Sequence, residues 1–206
     1  MHYSASFLQC FWHNRRLQKY YGIVKEEQFS HRVMLGEQGE IAIPTVEFNV
    51  VFQLTHIYAH LMNEEIGLRQ IIDYYYVVIS DYLLVINDEL LVIRDALQKE
   101  LKHLGLWKFA RAVMYVLHEA LGLSEEKIIA PMDEKRGKLL LAEILNGGNF
   151  GKHFTKYGHF TQQGMTKKYF LKIWRNMHFV RYYPAEALSE PVFRTWHFFW
   201  RIKNKK

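Results

Sequence analysis

The chain has 206 residues, enough for one good hydrophobic core or two small ones. Half of the residues are hydrophobic and 16% are aromatic, which excludes a disordered chain. The formal net charge of +6 favours anionic partners, and the single cysteine, Cys10, excludes an internal disulfide framework and fits a reducing compartment.

The first 44 residues combine short predicted strands with one helix. Residues 2–9 alternate weakly between apolar and polar side chains and predict a strand. Residues 12–28 predict a short helix with Gly22 as a weak point. The turn sequence GEQG lies between two further short strands and predicts a hairpin, which would occupy 31–43.

The rest of the chain has a helical pattern. Pro44 ends the hairpin and Thr45 can cap the next helix, while Asn146-Gly147-Gly148-Asn149 is the clearest break. We therefore predict a segment 1–44 and a helical domain 45–206, with a further break near 146–149. Predicted helices cover 45–64, 68–80, 87–104, 106–121, 133–145, 165–181 and 184–203.

Membrane and export signals do not appear in the sequence. The start, MHYSASFLQC, lacks the basic region and long apolar core of a signal peptide. The most apolar stretch, 71–86, contains Asp73 and Asp81 and falls short of a membrane span. We expect a soluble, cytoplasmic protein without a transmembrane segment.

A narrow line of hydrogen-bonding side chains interrupts the most apolar predicted helix. Its members are spaced by 4, 3, 4 and 4 residues and therefore share one helix face: Asn49, Gln53, His56, His60 and Glu64. The following helix carries Arg69, Gln70 and Asp73, with Arg69 and Asp73 one turn apart. Because buried polar groups need partners, this pair of helices predicts a cleft.

Three interpretations of this polar stripe remain open. The first is satisfied core polar groups that fix the helix register, with Arg69 and Asp73 as an internal ion pair. The second is a small-molecule or phosphate cleft. The third is a metal site on His56 and His60, but no third ligand is evident and the metalloprotease motif HExxH is absent, so we predict no metal site.

A strongly basic region begins after Glu143. Residues 144–185 contain no Asp or Glu but seven Lys or Arg, among them Lys167, Lys168 and Lys172. Such a region suits an anionic partner such as a nucleotide or a phosphorylated molecule, and a solvated basic face is the alternative. Nucleic acid is disfavoured because no recognised nucleic-acid-binding motif is present. Cys10 is interpreted as a packing residue, since no His or acid at motif spacing marks it as a nucleophile.

Several segments resemble the uncharacterised nucleotidyltransferase family that is common in Bacteroidetes. They are HYSASFLQCFWHNRRLQKYY, IPTVEFNVVFQLTHIYAHL, GLRQIIDYYYVV and YPAEALSEPVFRTWHFFWR, and together they cover nearly the whole chain. The resemblance is to the C-terminal part of that family. It implies a chain that lacks an N-terminal α/β catalytic core, with the predicted strands 2–9 and 31–43 as the remnant edge of its sheet.

The catalytic parts that the family implies are missing from this sequence. There is no Gly-Ser dipeptide to start a triphosphate-binding helix and no Asp-x-Asp pair to hold two Mg²⁺ ions. No catalytic residue is therefore assigned, and Mg²⁺ and a nucleoside triphosphate are expected only for a complete family member. We expect a fragment or a member reduced to its helical half, inactive alone.

The sequence thus predicts a mainly α-helical bundle with a small N-terminal β element. The resemblance implies the helical, substrate-side part of a Mg²⁺-dependent nucleotidyltransferase-like protein, with a partner chain or self-association through the N-terminal edge. The alternative is a non-enzymatic module that binds an anionic partner through 144–185. The predicted substrate- or phosphate-binding residues are Gln53, His56, His60, Arg69, Asp73, Lys167, Lys168 and Lys172.

Overall fold

The computed structural model describes residues 6–63, 66–80, 88–147, 174 and 176–203. Its architecture is mainly α-helical with one small two-stranded sheet near the N-terminus, as predicted. The labelled elements are α1 (Phe11–Ser30), β1 (Arg32–Met34), β2 (Glu40–Ala42), α2 (Val46–Asn63), α3 (Leu68–Ile79), α4 (Asp88–His103), α5 (Trp107–Leu121), α6 (Glu134–Gly147) and α7 (Pro184–Lys203).

The β-hairpin confirms the turn predicted from GEQG. Its antiparallel strands pair Val33 with Ile41, and a short 3₁₀ turn, Gly36–Gln38, joins them. At the open end, the Ile43 N–H donates to the His31 carbonyl oxygen at 2.9 Å. In a second hydrogen bond between these two residues, the ring Nδ1–H of His31 donates to the Ile43 carbonyl oxygen at 2.9 Å. The hairpin is thereby tied to the chain that enters α2.

The strand predicted at 2–9 is wrong in its described part. Residues 6–10 have no strand conformation, and residues 1–5 lie outside the described part of the chain. The backbone N–H groups of Gln9 and Cys10 donate to the carboxylate of Glu186 in α7 instead of to a neighbouring strand. Weak alternation alone did not indicate this long-range partner.

Helix α1 is longer than predicted and runs through Gly22 without a break. Helix α2 begins where the sequence predicts, because the Thr45 hydroxyl accepts the Phe48 N–H at 3.3 Å as an N-cap. The predicted helix 165–181 lies mostly outside the described residues, but 176–180 are helical.

One hydrophobic core joins residues from nearly every described helix. Helix α5 is its centre, with seven buried side chains that include Phe109 and Leu117. Leu17 of α1, Tyr74 of α3 and Phe179 pack into the same cluster. Each such side chain contributes about 1.5–3 kcal/mol when fully buried. The segment before residue 45 therefore shares the core of the later helices, and the predicted division near 44 stays a prediction.

No described helix is both long enough and apolar enough to cross a membrane.

Candidate functional site

Three residues of the predicted polar stripe, Asn49, Gln53 and His56, line a surface groove, while Glu64 lies outside the described residues. Helices α2 and α3 turn their buried faces to the core through residues such as Leu54 and Ile71, which are both fully buried. Their remaining faces and the β-hairpin enclose a groove of about 850 Å³. Its polar lining residues include Asn49, Gln53 and His56 of α2, Gln70 and Asp73 of α3, and also His31 and Ser80.

The described polar residues that line the groove lie outside the core. His56 and Asp73 are exposed, and Asn49, Gln53 and Gln70 are half-buried. The fully buried polar side chain of α2 is Thr55, whose hydroxyl donates to the Val51 carbonyl oxygen at 2.7 Å. His56 and Asp73 are therefore not buried polar side chains that make all their hydrogen bonds inside the core, as the first interpretation of the stripe required. The cleft interpretation matches their positions.

Arg69 does not line the groove. Its side chain is exposed on the first turn of α3, one helical turn before Asp73, which does line the groove. No ion pair joins Arg69 to Asp73 in the part of the chain that the structure describes, so the internal ion-pair interpretation is not supported. The Gln70 side-chain oxygen accepts the Gly67 N–H at 3.1 Å and fixes the start of this helix.

The two histidines of the stripe contact each other. The Nε2 atoms of His56 and His60 are 3.1 Å apart, so one ring donates a hydrogen bond to the other. The His56 ring also stacks on Phe52 at 6.3 Å between centroids, and Phe52 stacks on Phe48 at 5.8 Å. Residues 48, 52, 56 and 60 thus form a ladder at helical spacing that orients His56 at the groove.

No third His, Cys, Asp or Glu joins His56 and His60 among the described residues in a set that could hold a metal ion. His60 itself is half-buried and does not line the groove. Lys167, Lys168 and Lys172 lie outside the described residues. Their assignment to an anionic partner stays a prediction.

A second polar cluster lies at the start of α1 and was missed in the sequence. Glu186, in the first turn of α7, is 2% exposed. One carboxylate oxygen accepts the N–H groups of Gln9 and Cys10 at 2.7 and 2.9 Å, and the other accepts Nδ1–H of His13 at 2.8 Å. The signal present in the sequence was the Cys10-x-x-His13 spacing, but Glu186 is 176 residues from Cys10.

The imidazole of His13 lies against the backbone of Gly105. This glycine has φ of +78°, and a Cβ atom placed on it would lie 2.5 Å from Nε2 of the ring. A cavity of about 340 Å³ adjoins the ring and is also lined by Tyr58 and Tyr183. Burial and then the negative charge of Glu186 raise the pKa of Tyr58, which keeps this phenol neutral.

Comparison with protein-family models, with curated proteins and with solved structures found no match to this chain.

Proposed function

We propose that this chain is the helical, substrate-side part of a nucleotidyltransferase-like protein and that the groove between α2 and α3 binds a nucleotide. The chain is inactive alone in this proposal, because its sequence has neither the Gly-Ser dipeptide nor the Asp-x-Asp pair that the family would use to hold a triphosphate and two Mg²⁺ ions. Transfer of a nucleoside monophosphate would need Mg²⁺, a nucleoside triphosphate and a complete catalytic core.

The observation that carries the proposal is the meeting of Gln53, His56 and Asp73, from two helices, in one groove. Its volume of about 850 Å³ falls in the range of small-molecule sites, which runs from about 300 to 1,000 Å³. A mostly apolar lining with a few convergent polar groups is typical of such sites.

The polar groups of the groove suit a nucleoside better than a phosphate. Asn49, Gln53 and Gln70 carry amides, which both donate and accept hydrogen bonds as base edges do. The carboxylate of Asp73 would accept from sugar hydroxyls and repel a phosphate. Phe52 and Tyr76 add aromatic surface for a base.

Arg69 supplies the positive charge that the described lining of the groove lacks. It is exposed one helical turn before Asp73, on the same face of α3, so its guanidinium would bind the phosphates of a nucleotide whose base occupies the groove. The proposal therefore assigns the base and sugar to the groove and the phosphates to Arg69.

The test is a calorimetric titration of the purified chain with a nucleoside, with its monophosphate and with its triphosphate. We expect Arg69→Ala to weaken the triphosphate about 10- to 100-fold and to leave the nucleoside unchanged, since a charge-assisted hydrogen bond contributes about 1.5–3 kcal/mol. Gln53→Ala and His56→Ala should weaken all three ligands.

The matched control is Lys19→Ala, which removes an exposed cation of α1 away from the groove. It should leave every affinity unchanged. Equal losses of triphosphate affinity in Lys19→Ala and Arg69→Ala would show that only the net charge of the chain matters and would contradict the role of Arg69. If no nucleotide binds, the whole proposal is overturned.

A second proposal rests on the seven Lys or Arg of residues 144–185, a region without Asp or Glu. As a non-enzymatic module, the chain would bind an anionic partner through this region. Affinity for a polyanion should then fall steeply with salt and fall further when Lys167, Lys168 and Lys172 are changed to Gln. Salt-independent affinity would contradict it.

A further inference from the structure

The side-chain atoms of Cys10, His13 and Glu186 that could bind a metal ion lie close together. One side-chain atom from each residue falls within 4.8 Å of the other two. In the described part of the chain, this is the one set of three His, Cys, Asp or Glu residues with that property. Cys10 and Glu186 are buried, while the imidazole of His13 retains 21% of its exposure beside the neighbouring cavity.

Glu186 is already oriented toward the other two residues. Its Oε2 atom is fixed by the two backbone N–H groups at the start of α1, which leaves Oε1 directed at His13. Backbone hydrogen bonds of this kind are the outer shell that orients metal-ligating carboxylates. The 2.8 Å between Oε1 and Nδ1 is a hydrogen-bond distance. Two ligands at about 2.0–2.1 Å from a tetrahedral Zn²⁺ lie about 3.3 Å apart, so these two atoms would separate by about 0.5 Å when a metal replaces the shared hydrogen.

We propose that Cys10, His13 and Glu186 form a binding site for a divalent transition metal of the Zn²⁺ class. A thiolate and an imidazole select Zn²⁺ over Mg²⁺ and Ca²⁺, which prefer oxygen ligands. The three protein ligands leave the fourth position of a tetrahedral site for water or a ligand. This site is separate from the groove between α2 and α3 and does not depend on the nucleotide proposal.

Binding of the metal displaces protons in a defined way. The Cys10 thiol loses its proton to the buffer and binds as a thiolate. The hydrogen that His13 Nδ1 shares with Glu186 is replaced by the metal, so a neutral imidazole carries its hydrogen on Nε2 instead. Each binding event therefore releases at least one proton.

A loss of stability in a Glu186 variant would not test the metal site. Glu186 caps the start of α1 and pairs with His13 whether or not a metal is bound. Removal of Glu186 would therefore damage the fold under either interpretation. The discriminating variant is Cys10→Ser, because it changes one atom of a buried side chain that makes no capping bond through its sulfur.

The experiment is titration of the untagged chain with Zn²⁺ in the presence of a competing chromophoric chelator and a phosphine reductant. We expect one Zn²⁺ per chain. Cys10→Ser should weaken binding by at least about 100-fold, since loss of a ligand should exceed the 10- to 100-fold effect of losing an outer-shell partner. Calorimetry in two buffers of different ionisation enthalpy should report the released proton.

Co²⁺ provides a readout specific to the thiolate. The Co²⁺-loaded chain should show a thiolate-to-metal charge-transfer band, and Cys10→Ser should abolish it while circular dichroism shows a folded protein. The double variant His56→Ala, His60→Ala is the control, because it removes the other histidine pair and should leave both the stoichiometry and the band intact.

Absence of stoichiometric Zn²⁺ binding would overturn the proposal. So would binding that survives Cys10→Ser without loss of affinity, or binding that disappears in the double histidine variant.

Discussion

Gly137 shows how one residue sets the distance between two helices. It lies inside α6, and a Cβ atom at this position would come within 2.2 Å of the ring of Tyr115 in α5. Helices α5 and α6 pack closely along this line. Gly22, in α1, has the same helical context but no atom within 4 Å of such a Cβ.

The same substitution should therefore have opposite effects at the two positions. Gly137→Ala should lower the free energy of unfolding by about 1–3 kcal/mol, because overpacking outweighs the gain in helix propensity. Gly22→Ala should raise it by about 0.5–1 kcal/mol. Urea unfolding of the two variants measures both changes, and a stabilised Gly137→Ala would contradict the close approach.

At the scale of the element, α6 depends on the cap at its start. The Asp133 carboxylate accepts the Arg136 N–H at 3.1 Å and pairs with the Arg136 guanidinium at 2.6 Å. Burial by itself raises the pKa of Asp133, but the hydrogen bonds and charge of Arg136 outweigh it and hold the pKa below its usual value. The charged form is therefore the one that stabilises the helix.

Loss of this cap should destabilise the whole chain. Asp133→Ala should lower the free energy of unfolding by about 1 kcal/mol at about pH 7, within the range of about 0.5–2 kcal/mol for the loss of an N-cap. Because the folded-state pKa is depressed, the stabilisation is present above the ordinary carboxyl pKa and is lost as the pH falls through the folded-state value.

The control for the charge is Asp133→Asn, which keeps a capping oxygen but cannot ionise. The difference in the free energy of unfolding between this variant and the wild type, measured by chemical denaturation, should shrink as the pH falls from about 6 to about 3. A difference that does not change with pH would assign the stabilisation to the hydrogen bond alone.

At the scale of the whole molecule, an aromatic surface joins the N-terminal segment to α7. The Phe7 ring stacks on Phe193 at 5.7 Å, and Phe193 contacts Trp196 at 6.1 Å between centroids. Trp196 is 59% exposed, and Phe11 and Trp12 at the start of α1 are also exposed. Aromatic side chains in mutual contact at the surface, as Phe7, Phe193 and Trp196 are, are typical of an interaction site.

We expect this aromatic surface to promote self-association through the N-terminal edge. Light scattering should show a mass that rises with concentration above the 24.7 kDa of one chain, and Trp196→Ser should reduce the rise. Trp174→Ser removes a tryptophan of similar exposure, 62%, that makes none of these ring contacts, and it should have no effect. A constant monomer mass would contradict the prediction.

Much of the fold could be predicted from the sequence because its signals are local. Helical periodicity placed Gln53 and His56 on one face, and Gln70 and Asp73 on the next helix, so the groove followed from two helices packed side by side. The GEQG turn and the Thr45 cap are likewise contained within a few residues, and the structure confirms both.

The tertiary structure decided what depends on distant partners. The weak alternation at 2–9 did not become a strand in its described part because Glu186, more than 170 residues away, takes the backbone N–H groups of Gln9 and Cys10. Cys10 is buried, as a packing residue would be, and the docking of α7 also places Glu186 beside it and His13. By itself, the sequence determined the helices, the hairpin and the polar stripe, because periodicity and capping are local. Only long-range packing decided which polar side chains lie exposed in a groove and which are buried together.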